Sequence, residues 1–146
     1  MRRLEALLKG KKVLAVEDGL SVYEAAAYMT KMKIGAVPVL RRGDIVGMFT
    51  ERDLMTRVVV PGLDSRTTPI SEVMTRDVVT ANPSDRFSEC RARMRSRHCR
   101  HMPVVENGRL LGTVSLRDLQ AESLRKRNAE IRHLTDYIQD PGYGIV

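Results

Sequence analysis

A chain of 146 residues is long enough to bury the core of one ordinary domain. Trp is absent and aromatic residues make up 4%, so aliphatic side chains and the eight methionines must fill that core. Two cysteines are too few for a disulfide framework, no apolar run approaches the ~20 residues of a membrane span, and a cytosolic protein with reduced thiols is expected.

In chain order, "MRRLEALLKGKKVLAVEDG" starts basic, but its apolar segments are short and broken by charge, so it is not a signal peptide. Within it "KVLAV" (12–16) predicts a short strand. Val22, Ala25, Ala26 and Met29 recur at helical spacing and predict an amphipathic helix. "AVPVL" (36–40) predicts an apolar strand entered through Pro38, and "RRGD" (41–44) a tight turn into a second strand, "IVGMF" (45–49). A helix then opens at Thr50, and the turn formers of "PGLDSRTTPI" (61–70) mark a linker. The order now starts again. "DVVTA" (77–81) is a strand, Phe87, Cys90 and Met94 form a helical stripe, and "HMPVV", "ENGR" and "LLGTV" are strand, turn and strand. A helix opens at Ser115. Residues 120–139 read as one long charged helix, stopped by "DPGYG". Its apolar positions Leu124, Ile131, Leu134 and Ile138 are sparse, and it is expected to lie on a neighbouring surface.

The recurrence is an internal repeat at a constant offset of 65. Pro38 matches Pro103, Gly43 matches Gly108, Gly47 matches Gly112, and "RDL" at 52–54 matches "RDL" at 117–119. Upstream, Val13 matches Val78, Glu24 matches Glu89 and Met29 matches Met94. Each unit is β-α-β-β-α, about fifty residues, and would bury too little surface alone. The fold expected is α/β: two units packed sheet to sheet about a pseudo-twofold axis, sharing one core, with a long C-terminal helix. The boundaries read as one module over 1–146, with repeat one at 9–60, the linker at 61–70, repeat two at 71–122 and the helix at 120–139.

Two motifs carry chemistry. Thr50-x-x-Asp53 and Ser115-x-x-Asp118 each open a helix, which by itself describes a capping box. Gly47 and Gly112 stand three residues before each hydroxyl, where a ligand could approach the backbone. A helix start with a hydroxyl can also hold phosphate, and an Asp can accept from both ribose hydroxyls. Capping and binding are compatible roles.

With the G-x-x-[TS]-x-x-D motif after a hairpin and the P-V strand before it, both twice, residues 9–122 resemble a pair of cystathionine-β-synthase (CBS) domains. "ISEVMTRDVVT" and the "LTDYI" helix resemble the small stand-alone bacterial form. The resemblance implies a non-catalytic sensor binding an adenosine compound in clefts that mix both copies: AMP or NAD(H) first, ATP next, with no metal. It implies a main cleft of Thr113, Ser115, Arg117 and Asp118 against Val13, Leu14, Ile34, Gly35 and Ala36, with Arg100 and His101 at the phosphate. It implies a second cleft of Met48, Thr50, Arg52 and Asp53 against Val78, Val79, Cys99 and Arg100. The first copy has Gly35 and Ala36 where the second has Arg100 and His101, so the main cleft is expected to bind phosphate more tightly. No effector domain is read here, so a target would be a separate effector protein. A homodimer through the helices is also implied, with the terminal helices as candidate contacts.

The other class to weigh is a basic nucleic-acid-binding protein. "RARMRSRHCRH" (91–101) holds five arginines and no acid, against a net charge of +7 for the whole chain. At roughly 100° per residue, Arg91 and Arg97 lie about 60° to either side of Met94, and Arg93 and Arg95 about 100°. They straddle the apolar stripe and form no single face, so aliphatic stems covering the core edge are favoured. His98-Cys99-x-His101, with Cys90 nearby, fits no closed metal site. No phosphate-binding glycine loop or nucleophile elbow is present.

Overall fold

The computed structural model describes residues 2–139. After a short helix α1 (Glu5–Leu8), the first copy runs β1 (Val16–Glu17), α2 (Val22–Met32), β2 (Ala36–Arg41), β3 (Asp44–Thr50) and α3 (Glu51–Asp53), which continues in π-helical form over Leu54–Val59. A second short helix α4 (Ile70–Val73) precedes α5 (Phe87–Arg97), β4 (His101–Glu106), β5 (Arg109–Ser115) and α6 (Leu116–Gln139).

Local chemistry explains these elements. Ser21 and Glu24 form a capping box at the start of α2. Both α2 and α5 stop at a left-handed residue, Lys33 or His98, whose N–H returns to the last-turn carbonyls. Each hairpin turns on two residues of positive φ, Arg42–Gly43 or Asn107–Gly108, the turn whose twist matches its strands. The repeat extends to irregularities: both hairpins shift register at the same offset, between Val39 and Leu40 and between Val104 and Val105. The resulting sheets are β1-β2-β3 and β4-β5.

The first strand of each copy is shorter than its sequence suggests. "KVLAV" contributes only Val16 to β1, paired in parallel to Val39, and "DVVTA" contributes one bridge, Ala81 to Val104. The Pro103 carbonyl accepts from the Ala81 N–H, so residue 103 turns its polar atoms toward this strand. A proline has no N–H to extend that ladder upstream. Pro38 stands at the same place in the first copy.

One shared core was expected, and two clusters are found. One gathers Val22, Ala25, Met29, Val37, Val39 and Phe49, and the other Phe87, Cys90, Met94, Met102, Val104 and Val114. Each is completed by the lead-in of the other copy. Ile70, Val73 and Met74 belong to the first cluster, and Leu4 to the second. Leu4 is fully buried, its N–H donates to the Asp85 carbonyl, and Phe87 N–H donates to the Arg2 carbonyl. Arg2 pairs with the buried Glu122 of α6. In the mirror contact Ile70 N–H donates to the Leu20 carbonyl.

The crossings pass over the two motif glycines. A Cβ on Gly47 would lie 2.5 Å from the Met74 sulfur and 2.9 Å from the Thr75 carbonyl oxygen. A Cβ on Gly112 would lie 2.8 Å from Leu8 Cδ2. These glycines therefore admit a crossing chain, not a ligand.

The C-terminal helix also departs from expectation. The helix opening at Ser115 and the one read at 120–139 are a single helix, α6. From Leu124 to Asp136 it is exposed throughout and lies on no neighbouring surface. Ile138's side chain and the "DPGYG" stop fall outside what is described. Among the described residues no helix is long and apolar enough to cross a membrane.

Overpacking the crossing costs stability. Gly47→Ala is expected to lower it by about 1–3 kcal/mol in urea or thermal unfolding. Gly19→Ala, with no atom within 4 Å of the added methyl, should change it by less than about 0.5 kcal/mol.

Candidate ligand-binding cleft

Between the copies lies a cavity of about 790 Å³. Its walls include Leu14, Ile34, Gly35 and Ala36 from the first copy and Arg100, His101, Thr113, Ser115, Arg117 and Asp118 from the second. These are the main-cleft residues of the sequence reading with one correction: Val13 is half-exposed and outside the lining. The reading missed Lys11, Lys12, Lys33, Pro38, Leu116 and Gln120. The lysines belong to no motif. "LKGKK" and the "KMK" before Ile34 carry the charge, but only the fold brings them, still exposed, to the rim of one cavity.

The start of α6 forms the working edge. Asp118 N–H donates to Ser115 Oγ at 3.0 Å, and Ser115 N–H donates to Asp118 Oδ2 at 3.0 Å. The capping box is thus formed, yet Asp118 is only partly buried and lines the cavity, with its carboxylate able to accept further bonds. Ser115 likewise keeps its hydroxyl proton to donate. Leu116 N–H is engaged by the Arg100 carbonyl at 2.8 Å, which fixes Arg100 against the helix start. Thr113 Oγ1 is buried without a hydrogen-bond partner among the described residues, in the same cavity wall. A buried hydroxyl left in this state costs about 1–3 kcal/mol.

His101 was expected to act as a cation beside Arg100. Burial pushes its pKa below the ordinary 6.5, outweighing the opposing pull of Asp118 and Glu51, while Arg100 adds to the lowering. His101 is therefore neutral at pH 7, and it can offer a hydrogen bond but not a charge.

The second cleft is built differently. Thr50 and Asp53 form the same capping box, with Asp53 N–H donating to Thr50 Oγ1 at 3.1 Å and Thr50 N–H to Asp53 Oδ2 at 3.1 Å. But Thr75 of the crossing lead-in donates its hydroxyl to Asp53 Oδ1 at 3.1 Å, and Arg57 lies 3.7 Å from the same oxygen. Asp53 is 6% exposed. Met48 is buried and exchanges two backbone bonds with Thr75. Val79 and Cys99 pack on the second core, Val78 is partly buried and Arg52 is exposed. The carboxylate expected to meet a ribose is already committed, which corrects the expectation of a second open site. A smaller cavity of about 390 Å³, beside α2 and α3, shares Lys33, Ile34, Gly35 and Arg117 with the main one and contains none of these second-cleft residues.

The arginine-rich stretch is divided. Arg93 donates to the Thr80 carbonyl at 3.0 Å and pairs with Asp85 at 3.2 Å, Arg97 pairs with Asp77 at 2.6 Å, and Arg91 donates to Ser123 Oγ at 3.3 Å. Arg100 alone of the five lines the cavity. Burial pushes the Cys90 thiol up to about 11 and also raises Cys99, so neither is an activated nucleophile. Among the described residues no three His, Cys, Asp or Glu side chains gather as a metal site.

Comparison with known proteins adds the following. A family model of the CBS domain matches residues 8–60 and 70–125. The CBS domain-containing protein YhcV of Bacillus subtilis is 33% identical over 118 residues, spanning 81% of this chain and 84% of its own length. The crystal structure of the CBS-domain containing protein ATU1752 from Agrobacterium tumefaciens is 36% identical, with a TM-score of 0.77 over 84% of this chain and 99% of that one. The CBS domain pair of protein MJ0100, solved with 5′-methylthioadenosine and S-adenosyl-L-methionine, shares the fold at 24% identity, with a TM-score of 0.78 over 86% of this chain and 98% of its own.

A pH effect on stability follows from His101. Its folded pKa lies below the unfolded value of 6.5, so the folded state binds fewer protons. Its contribution is complete above pH 6.5 and is lost as pH falls below that value. Unfolding followed from pH 7.5 to 5 should show stability declining over the acid half of that range. His101→Gln should show a shallower decline.

Proposed function

The chain belongs to the CBS-domain family, and on that footing we propose that it is a regulatory module binding an adenine nucleotide, AMP, NAD(H) or ATP, in the cleft between its copies. One observation carries the reading. Asp118 keeps accepting capacity, beside Ser115 and the unpartnered Thr113 hydroxyl, in a wall facing apolar Leu14, Ile34 and Ala36. Carboxylate for ribose, hydroxyls for polar edges and an aliphatic slot for a flat base suit a nucleoside. The adenosine compounds bound by MJ0100, a protein of the same fold, support that class of ligand.

The proposed role is binding without catalysis. Asp118 and Ser115 are engaged with each other as a helix cap, and no activated thiol faces the cavity. Ligand bound at the junction ties α6 and β5 of one copy to the turn before β2 of the other. Occupancy would then be relayed to a separate effector protein. Nucleic-acid binding is disfavoured, because three of the five arginines in 91–101 are committed to contacts within the fold. We also propose a homodimer through Leu124, Ile131 and Leu134 of α6, three apolar side chains that the fold leaves exposed.

A thermal-shift panel of AMP, ADP, ATP, NAD, NADH and S-adenosylmethionine tests the ligand class. A compound at 100 times its dissociation constant should add about 2.7 kcal/mol. No shift with any of them at millimolar concentration would sink the sensor reading. In calorimetry Asp118→Ala should weaken binding about tenfold or more. Thr113→Val should also weaken it while leaving the melting temperature unchanged or higher, separating ligand contact from folding. For the dimer, Ile131→Asp should convert the protein to monomer in light scattering. A monomeric wild type would refute the α6 contact.

A further inference from the structure

Five cationic side chains line the main cavity, Lys11, Lys12, Lys33, Arg100 and Arg117, against the single lining carboxylate of Asp118, with Glu51 set behind Gly35 in the adjoining smaller cavity. They come from four separate places: the lead-in after α1, the C-cap of α2, the turn before β4 and the first turn of α6. Among the described residues none of the five takes part in an ion pair, whereas seven other arginines do. Like charges brought together on a concave wall repel one another, and low-dielectric walls focus their field. An anion in the cavity relieves that repulsion.

The size of the anion follows from the count. One phosphate monoester carries about −1.5 to −2 at neutral pH, too little for five cations beside one acid. A chain of two or three phosphates matches them. A sulfonium compound would instead bring positive charge into a positive field. A nucleic-acid duplex meets convex surface, and these exposed cations ring a concave one.

We propose that the cleft is selective for nucleoside polyphosphates, and that Lys11 and Lys12 of the lead-in read the length of the phosphate chain. This rests on the adenine-nucleotide reading above and reverses the order suggested by the sequence, in which AMP or NAD(H) came before ATP. Both lysines are exposed and follow Leu8, the residue that crosses Gly112. Engaging them ties the exchanged lead-in to the start of α6.

Calorimetry with adenosine, AMP, ADP and ATP, in low salt without divalent cations, tests it. Affinity should climb along the series, with ATP at least about tenfold tighter than AMP. A double variant, Lys11→Gln with Lys12→Gln, should keep the melting temperature of the wild type, weaken ATP several-fold more than AMP, and so lose most of the gain for ATP. Inorganic tripolyphosphate should displace ATP from the wild type more readily than from the variant. Equal affinities for AMP and ATP, tighter binding of S-adenosylmethionine than of ATP, or a variant that weakens AMP and ATP alike would each overturn the proposal. If no member of the series binds, the adenine-nucleotide reading itself fails. If AMP binds and the series is flat, only the chain-length reading fails.

Discussion

Much of this molecule depends on the exchange of two short lead-in segments across two glycines. Leu4–Leu8 runs over the second copy and Ile70–Met74 over the first, and each supplies apolar side chains that its own copy does not use. Neither core is made from one continuous stretch, so neither copy is a complete folding unit. The exchange needs close backbone approach, and Gly47 and Gly112 provide it by having no Cβ where Met74 and Leu8 pass. Each crossing also lays the segment after it along the start of the following helix, where the acidic motif sits.

Two nearly identical frames thereby produce two unequal clefts. Both motifs cap their helices with the same reciprocal bonds, at 3.0–3.1 Å. The difference is what the crossing chain presents next. After Met74 comes Thr75, whose hydroxyl closes on Asp53; after Leu8 come Lys9 and Gly10, which have no hydroxyl to offer Asp118. One carboxylate is buried by its own chain and the other faces a cavity. The neighbouring substitutions act in the same direction. Arg100 and His101 stand where the first copy has Gly35 and Ala36, and Arg100 brings a cation to the wall of the main cavity.

The sequence was legible where chemistry is local. The Asn107–Gly108 turn, the stripes Val22/Ala25/Met29 and Phe87/Cys90/Met94, and the two capping boxes are short-range and appear where their residues predict them. The repeat then showed two equivalent frames, and the resemblance to CBS domains implied most of the residues that line the main cavity. The failures are all long-range. Strand length at 12–16 depends on a proline in a different strand. The separation into two cores depends on where Leu4 and Ile70 travel. Lys11, Lys12 and Lys33 look like ordinary surface lysines until the fold brings two distant segments to the rim of one cavity. The commitment of Asp53 depends on Thr75, 22 residues away.

The net charge shows the same distinction between composition and place. Most arginines of 91–101 lie on the flank of α5, where Asp77, Asp85 and carbonyl or hydroxyl oxygens take them up. Solvent screens such exposed pairs, and each contributes little. The cations around the cleft are no more numerous and come from unrelated stretches, but they share one concavity whose lining holds only the carboxylate of Asp118 to balance them. Their effect is set by distance and dielectric as well as by number. A basic run in a sequence therefore marks where charge is written. In this fold the cations that share the cavity come from elsewhere, with Arg100 as the one arginine of that run among its lining.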